Sequence, residues 1–71
     1  MNSYLLRYIS GPQGRLRVSR EELVLAESLD KALLSKSFWP IERNLKGDCG
    51  WAKNPGTSLY DVEAWEVTRV A

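Results

Sequence analysis

The residues able to do chemistry in this chain are few. There is no histidine among the 71 residues, which removes Ser–His and Cys–His nucleophile pairs and every histidine-containing metal site. The single cysteine, Cys49, sits in Asp48-Cys49-Gly50 near Lys46 and Lys53. Neighbouring cations lower a thiol pKa, but no residue nearby can serve as its base, so Cys49 reads as a plain cysteine. One cysteine cannot close an internal disulfide, which agrees with a reducing compartment. On a strand Asp61 and Glu63 would share a face; with no cleft implied, they and Glu66 read as solvated surface carboxylates. Gly11-Pro12-Gln13-Gly14 precedes a basic segment instead of a helix, so it does not match a phosphate-binding loop. No enzyme, cofactor or metal site is expected.

What remains is recognition. The net charge of +1 hides a strong segregation. Residues 1–20 carry Arg7, Arg15, Arg17 and Arg20 and no acid, whereas residues 21–30 carry Glu21, Glu22, Glu27 and Asp30 and no base. Residues 31–53 return to a basic excess and 54–71 to an acidic one. A duplex-binding domain has a clear overall basic excess; alternating patches fit a protein partner better. Trp51, in a turn-rich stretch, has the make-up of an interface anchor, and arginine is the other residue type enriched at such anchors. The six Trp and Tyr residues beside Arg15, Arg17 and Arg20 leave a second reading, a single-stranded nucleic-acid binder that stacks bases, although most aromatics in so small a domain are needed for its core.

These side chains must be positioned by one small domain. A hydrophobic content of 44% supports one core, and 71 residues lie near the lower limit for folding without staples. No run is long enough to span a bilayer, and Tyr4-Leu5-Leu6 is cut by Arg7, so no signal peptide or anchor is expected. Residues 1–26 read as a strand hairpin: Ser3–Ile9, a loop at Ser10–Gly14, and a returning strand from Arg15 whose alternation breaks near Arg20-Glu21, the mark of a bulge. At Ser28 the apolar period changes from strand to helix, with Ser28 as N-cap and Leu29, Ala32 and Leu33 on one helical face. The capping-box form Ser19-Arg20-Glu21-Glu22 supports a rival, one continuous helix from about Arg20 to Phe38. On the first reading the helix covers 28–38 and stops before Pro40. Residues 40–59 form a long loop excursion, with Ile41–Leu45 as a candidate short strand, and 60–70 a final strand. The expected fold is α+β: a β-β-α-β domain with one helix packed on a three- to four-stranded, mostly antiparallel sheet.

Two of these segments carry a resemblance. Ala26-Glu27-Ser28-Leu29-Asp30-Lys31-Ala32-Leu33, followed later by Glu66-Val67-Thr68-Arg69-Val70, resembles the small podophage-encoded inhibitors of the bacterial host's multisubunit RNA polymerase. The resemblance implies a β-β-α-β domain that binds the large catalytic subunits near the DNA-loading channel in the host cytoplasm. Such a domain blocks promoter opening by occupancy; other small phage proteins bind the same enzyme elsewhere, and some make it read through terminators. It also implies that Arg69 is essential for binding. Two positions further, where that family has a second arginine, this chain has Ala71, and the 40–59 excursion is an addition. The protein-binding residues expected are therefore Arg69, Arg15, Arg17, Arg20 and Trp51, in a monomer that contacts neither membrane nor nucleic acid directly. Another phage host-takeover protein, such as an anti-CRISPR inhibitor, shares the same sequence features.

Overall fold

In the computed structural model, which describes residues 1–57 and 60–70, five strands form one antiparallel sheet in the order β2-β1-β5-β4-β3. The strands are β1 (Asn2–Pro12), β2 (Arg17–Ala26), β3 (Ile41–Arg43), β4 (Cys49–Lys53) and β5 (Asp61–Arg69), and α1 (Leu29–Leu34) lies between β2 and β3. Of the described residues 56% are strand and 9% helix. This corrects the α+β expectation: the molecule is a small β-rich domain with one short helix, and the sheet has five strands.

The core forms on one face of the sheet. Alternation along β1 sends Tyr4, Leu6 and Tyr8 to the helix side, and the register places Val67 opposite Leu6, Trp65 opposite Tyr8 and Val24 opposite Tyr4. Leu29, Ala32 and Leu33 of α1 close over them, and Leu6, Leu33 and Val67 are fully buried. Full burial of such side chains is worth about 1.5–3 kcal/mol each. The opposite face of the sheet carries no helix or strand among the described residues.

The strand-into-helix junction at Ser28 is present, and the continuous helix is not. Ser28 is extended and its hydroxyl accepts from the Lys31 N–H at 3.2 Å. The helix is shorter than 28–38: it ends at Leu34, and Ser35 Oγ donates to the Ala32 carbonyl at 2.6 Å. The reason is local. After Leu33 the next positions of the apolar stripe are Lys36 and Ser37, which have nothing to bury, and serine side chains compete for helical carbonyls. Beyond the helix Phe38 and Trp39 separate: Trp39 packs against the core and Phe38 is 92% exposed.

The excursion also differs from a loop. Residues 40–59 contain a hairpin, β3–β4, whose second strand pairs with β5. Asn44 organises its turn: the Oδ1 accepts from Gly47, Asp48 and Cys49 N–H groups at 2.8, 3.2 and 3.3 Å. Gly47 takes φ +75° there, a conformation other residues rarely adopt. β1 runs on through the expected loop at Ser10–Gly14 as far as Pro12, and β2 begins at Arg17, two residues later than expected.

Candidate protein-docking surface

The bulge in β2 determines where its arginines go. Arg20 pairs with Tyr8 but Val18 pairs with Ile9, so Ser19 is the additional residue. The insertion resets the alternation, and Arg17 and Arg20, three apart in sequence, fall on the same side of the sheet as the helix. Both are exposed. Arg15 lies at the turn between β1 and β2, where its N–H donates to the Pro12 carbonyl at 2.9 Å. Among the described residues none of these three arginines makes an ion pair. Leu16 and Val18, exposed at 45% and 42%, lie between them, so the hairpin end mixes cationic and apolar surface.

The segment after the helix brings an aromatic to that side. Lys36 Nζ reaches Glu22 Oε1 on β2 at 2.6 Å and lies 5.7 Å from the Trp65 ring centroid. Four residues later the Pro40 carbonyl accepts from the Lys53 N–H on β4 at 3.3 Å. The chain from Lys36 to Pro40 therefore crosses the sheet on its helix face, with Trp39 turned inward and Phe38 outward. Phe38 was not singled out by the sequence. The available signal was the adjacent pair Phe38-Trp39 before a proline, of which one ring at most can face inward on an extended crossing.

The other two expected residues lie elsewhere. Arg69 is exposed at the far end of β5, opposite Tyr4, and its N–H donates to the Asp48 carbonyl at 2.8 Å. Arg17 pairs with Ser10, six residues along β1 from Tyr4, which is about 20 Å at ~3.3 Å per residue. Trp51 is on β4 and not in a loop. It stands on the opposite face, in a cross-strand row of Glu21, Arg7, Glu66, Trp51 and Glu42. Arg7 bridges Glu21 at 3.4 Å and Glu66 at 3.5 Å, contacts this exposed being worth at most about 1 kcal/mol. The five expected residues thus form one cluster (Arg15, Arg17, Arg20) and two separate positions.

Two carboxylates, Glu63 and Asp48, are held by side-chain hydrogen bonds. The Tyr8 hydroxyl donates to Glu63 Oε2, and Asn54 Nδ2 donates to Glu63 Oε1 at 2.7 Å. The Asn54 N–H also donates to the Glu63 carbonyl at 2.8 Å. These bonds, first the one from Tyr8, hold the Glu63 carboxyl below its ordinary pKa, and the same bond raises the Tyr8 phenol above its own. With both oxygens occupied, Glu63 acts as a latch between β1, β5 and the β4–β5 turn. Asp48 is likewise lowered, mainly by the 2.6 Å bond from Asn44. Cys49 is half-buried at the start of β4. Among the described residues no group of three His, Cys, Asp or Glu side chains can hold a metal ion, and no helix is long and apolar enough to cross a membrane. An open concavity of about 420 Å³, lined by Gln13, Pro40, Glu42, Lys53 and Asn54 among others, contains none of the expected site residues.

No family model, curated protein or solved structure matches this chain.

Proposed function

We propose that this chain is a non-catalytic docking domain that binds the multisubunit RNA polymerase of a bacterial host, through its large catalytic subunits, and inhibits or modifies transcription by occupancy. The observation that carries the docking reading is the helix-side surface itself. Exposed Arg17 and Arg20 are set on one side by the Ser19 bulge, and Phe38 projects outward on that side beside Trp39, which packs against the core. Arginines and a projecting aromatic are the residue types that dominate binding energy at protein interfaces. The molecule measures 36 × 21 × 20 Å, so its long side has an outline of roughly 750 Å², near the ~800 Å² per partner of a standard interface.

The choice of partner rests on the sequence resemblance. Its first part coincides with the capped junction at Ser28, and its second with the end of β5, where Arg69 is exposed. The site of action on this reading is the host cytoplasm. The nucleic-acid reading is weakened by the aromatics nearest Arg20. Trp65 is buried, and Tyr8 leans on it with ring centroids 5.2 Å apart while its hydroxyl is held by Glu63. Neither ring is presented as a free stacking platform.

Binding to purified bacterial RNA polymerase, measured by biolayer interferometry, tests the proposal. Arg17→Glu/Arg20→Glu and Phe38→Ala should each weaken binding by about 30-fold or more, the ~2 kcal/mol of a hot spot, with the circular dichroism spectrum unchanged. Wild-type binding by both variants would remove this surface from the site. Retention of bare single-stranded oligonucleotides at moderate salt, with no polymerase bound, would favour the nucleic-acid reading instead.

A further inference from the structure

The strand order leaves β2 at one margin of the sheet, ten residues long and, among the described residues, paired only with β1. Alternate N–H and C=O groups along such an edge point outward with no partner, a template for another strand. Edges are usually blunted by proline, lysine, a bulge or short length. The edge at β3 is three residues long. In β2 the bulge is confined to Ser19, and from Arg20 to Ala26 the register with β1 is unbroken. That stretch holds neither proline nor lysine. On its helix side the charge of Glu22 is neutralised by Lys36. On the bare side Leu23 and Leu25 are 71% and 68% exposed, and Leu5 lies beside Leu23 on β1.

We propose that β2 is a self-pairing edge: two copies of this chain join antiparallel through residues 22–26, with Val24 on the two-fold axis. The sequence of the edge selects this register. A two-fold normal to the sheet keeps each copy's faces aligned, so opposed residues must share parity. Centred on Val24, it sets Leu23 of one copy against Leu25 of the other twice, and Glu22 against Ala26. The four leucines and the two Leu5 side chains then form a continuous apolar strip across the joint. Centred on Leu23, the pairing puts Glu21 against Leu25 and Glu22 against Val24; centred on Glu22, it opposes the two Glu22 carboxylates. Of the three, the Val24 register alone matches apolar with apolar at both leucines, and it brings like charges together, Glu21 against Glu27, only outside the paired residues 22–26. The contact is small, below the ~1,200 Å² that marks weak association, so the dimer dissociates on dilution. It departs from the monomer expected from the sequence and is independent of the polymerase reading.

Sedimentation velocity over a dilution series, together with cross-linking, tests the proposal. Wild type should shift from monomer to dimer as concentration rises. Leu23→Lys/Leu25→Lys should remain monomeric throughout with an unchanged far-ultraviolet spectrum, since both side chains are exposed. In a Cys49→Ser background, a mixture of L23C and L25C chains should form a disulfide dimer several-fold faster than either chain alone, because directly opposed positions fall within disulfide reach. A wild-type monomer at every concentration would overturn the proposal, as would dimerisation of the lysine variant. Cross-linking of the mixture no faster than of the single variants would overturn the register.

Discussion

Gly50→Ala should destabilise the domain more than its single added methyl implies. Gly50 is buried on β4, between the helix and the β3 strand. A Cβ built there would lie 2.6 Å from the Glu42 carbonyl oxygen, 3.0 Å from Leu29 Cδ2 and 3.5 Å from Arg43 Cα. The first of these atoms belongs to the backbone of the strand paired with β4, and the second to the side chain that seats the helix. Relief therefore requires β3 to move off its ladder or Leu29 to leave the core. Overpacking of this kind costs roughly 1–3 kcal/mol. A 71-residue domain has in total only about 4–10 kcal/mol at ~0.05–0.15 kcal/mol per residue. The melting temperature should fall by about 4–8 °C per kcal/mol lost. Urea unfolding followed by tryptophan fluorescence measures the change, with Gly56→Ala as control. At Gly56 the nearest atom to an added Cβ among the described residues is Asn54 Oδ1 at 3.3 Å, a side-chain atom that need give only a few tenths of an ångström, so its midpoint should fall by less than that of Gly50→Ala. A Gly50→Ala midpoint equal to that of the control would refute the close packing of the β3–β4 hairpin beneath the helix.

Three further outcomes follow from the same contacts. Leu33→Ala empties a fully buried position under α1 and should cost about 2–5 kcal/mol in urea unfolding. Ser28→Ala removes the acceptor of the Lys31 N–H and should cost about 0.5–2 kcal/mol by the same measurement. Glu63 has a lowered folded pKa, so its contribution is complete above the ordinary carboxylate range and is lost as pH falls through the folded value. Glu63→Gln should therefore flatten the acid limb of stability against pH. It should also return the Tyr8 phenol toward its ordinary value in a tyrosinate absorbance titration, because Glu63 is what raises it.

The parts of the fold that could be read from the sequence are those where two independent signals coincide. At Ser28 a capping hydroxyl and a change of apolar period fall on the same residue. In β2 the broken alternation near Arg20-Glu21 marks a bulge that the structure places one residue earlier, at Ser19. Of the β3–β4 hairpin, β3 was legible as the candidate strand at Ile41–Leu45, whereas β4 was hidden because its inward positions, Gly50 and Ala52, are small. Small residues give almost no hydrophobic period, although they are what a helix packed close above requires. The helix was overextended because Pro40 sets only an outer limit, while Lys36 and Ser37 had already ended the apolar stripe. For the site, arginine types and charge segregation were legible. Which face each residue would occupy was not, since one inserted residue at Ser19 decides it for Arg17 and Arg20. Trp51, read as a loop anchor, belongs to the ion-paired row on the opposite face.

The central claim is that this domain acts by standing in the way of a larger partner. It is tested most directly by titrating the purified chain into a promoter-dependent transcription reaction with bacterial RNA polymerase, adding it before or after the DNA. The account predicts inhibition that saturates near one chain per polymerase, is strongest when the chain is added first, and is lost with Arg17→Glu/Arg20→Glu or Arg69→Glu. Undiminished transcription at ~10 μM protein, well above the dissociation constant of a specific complex, would contradict it.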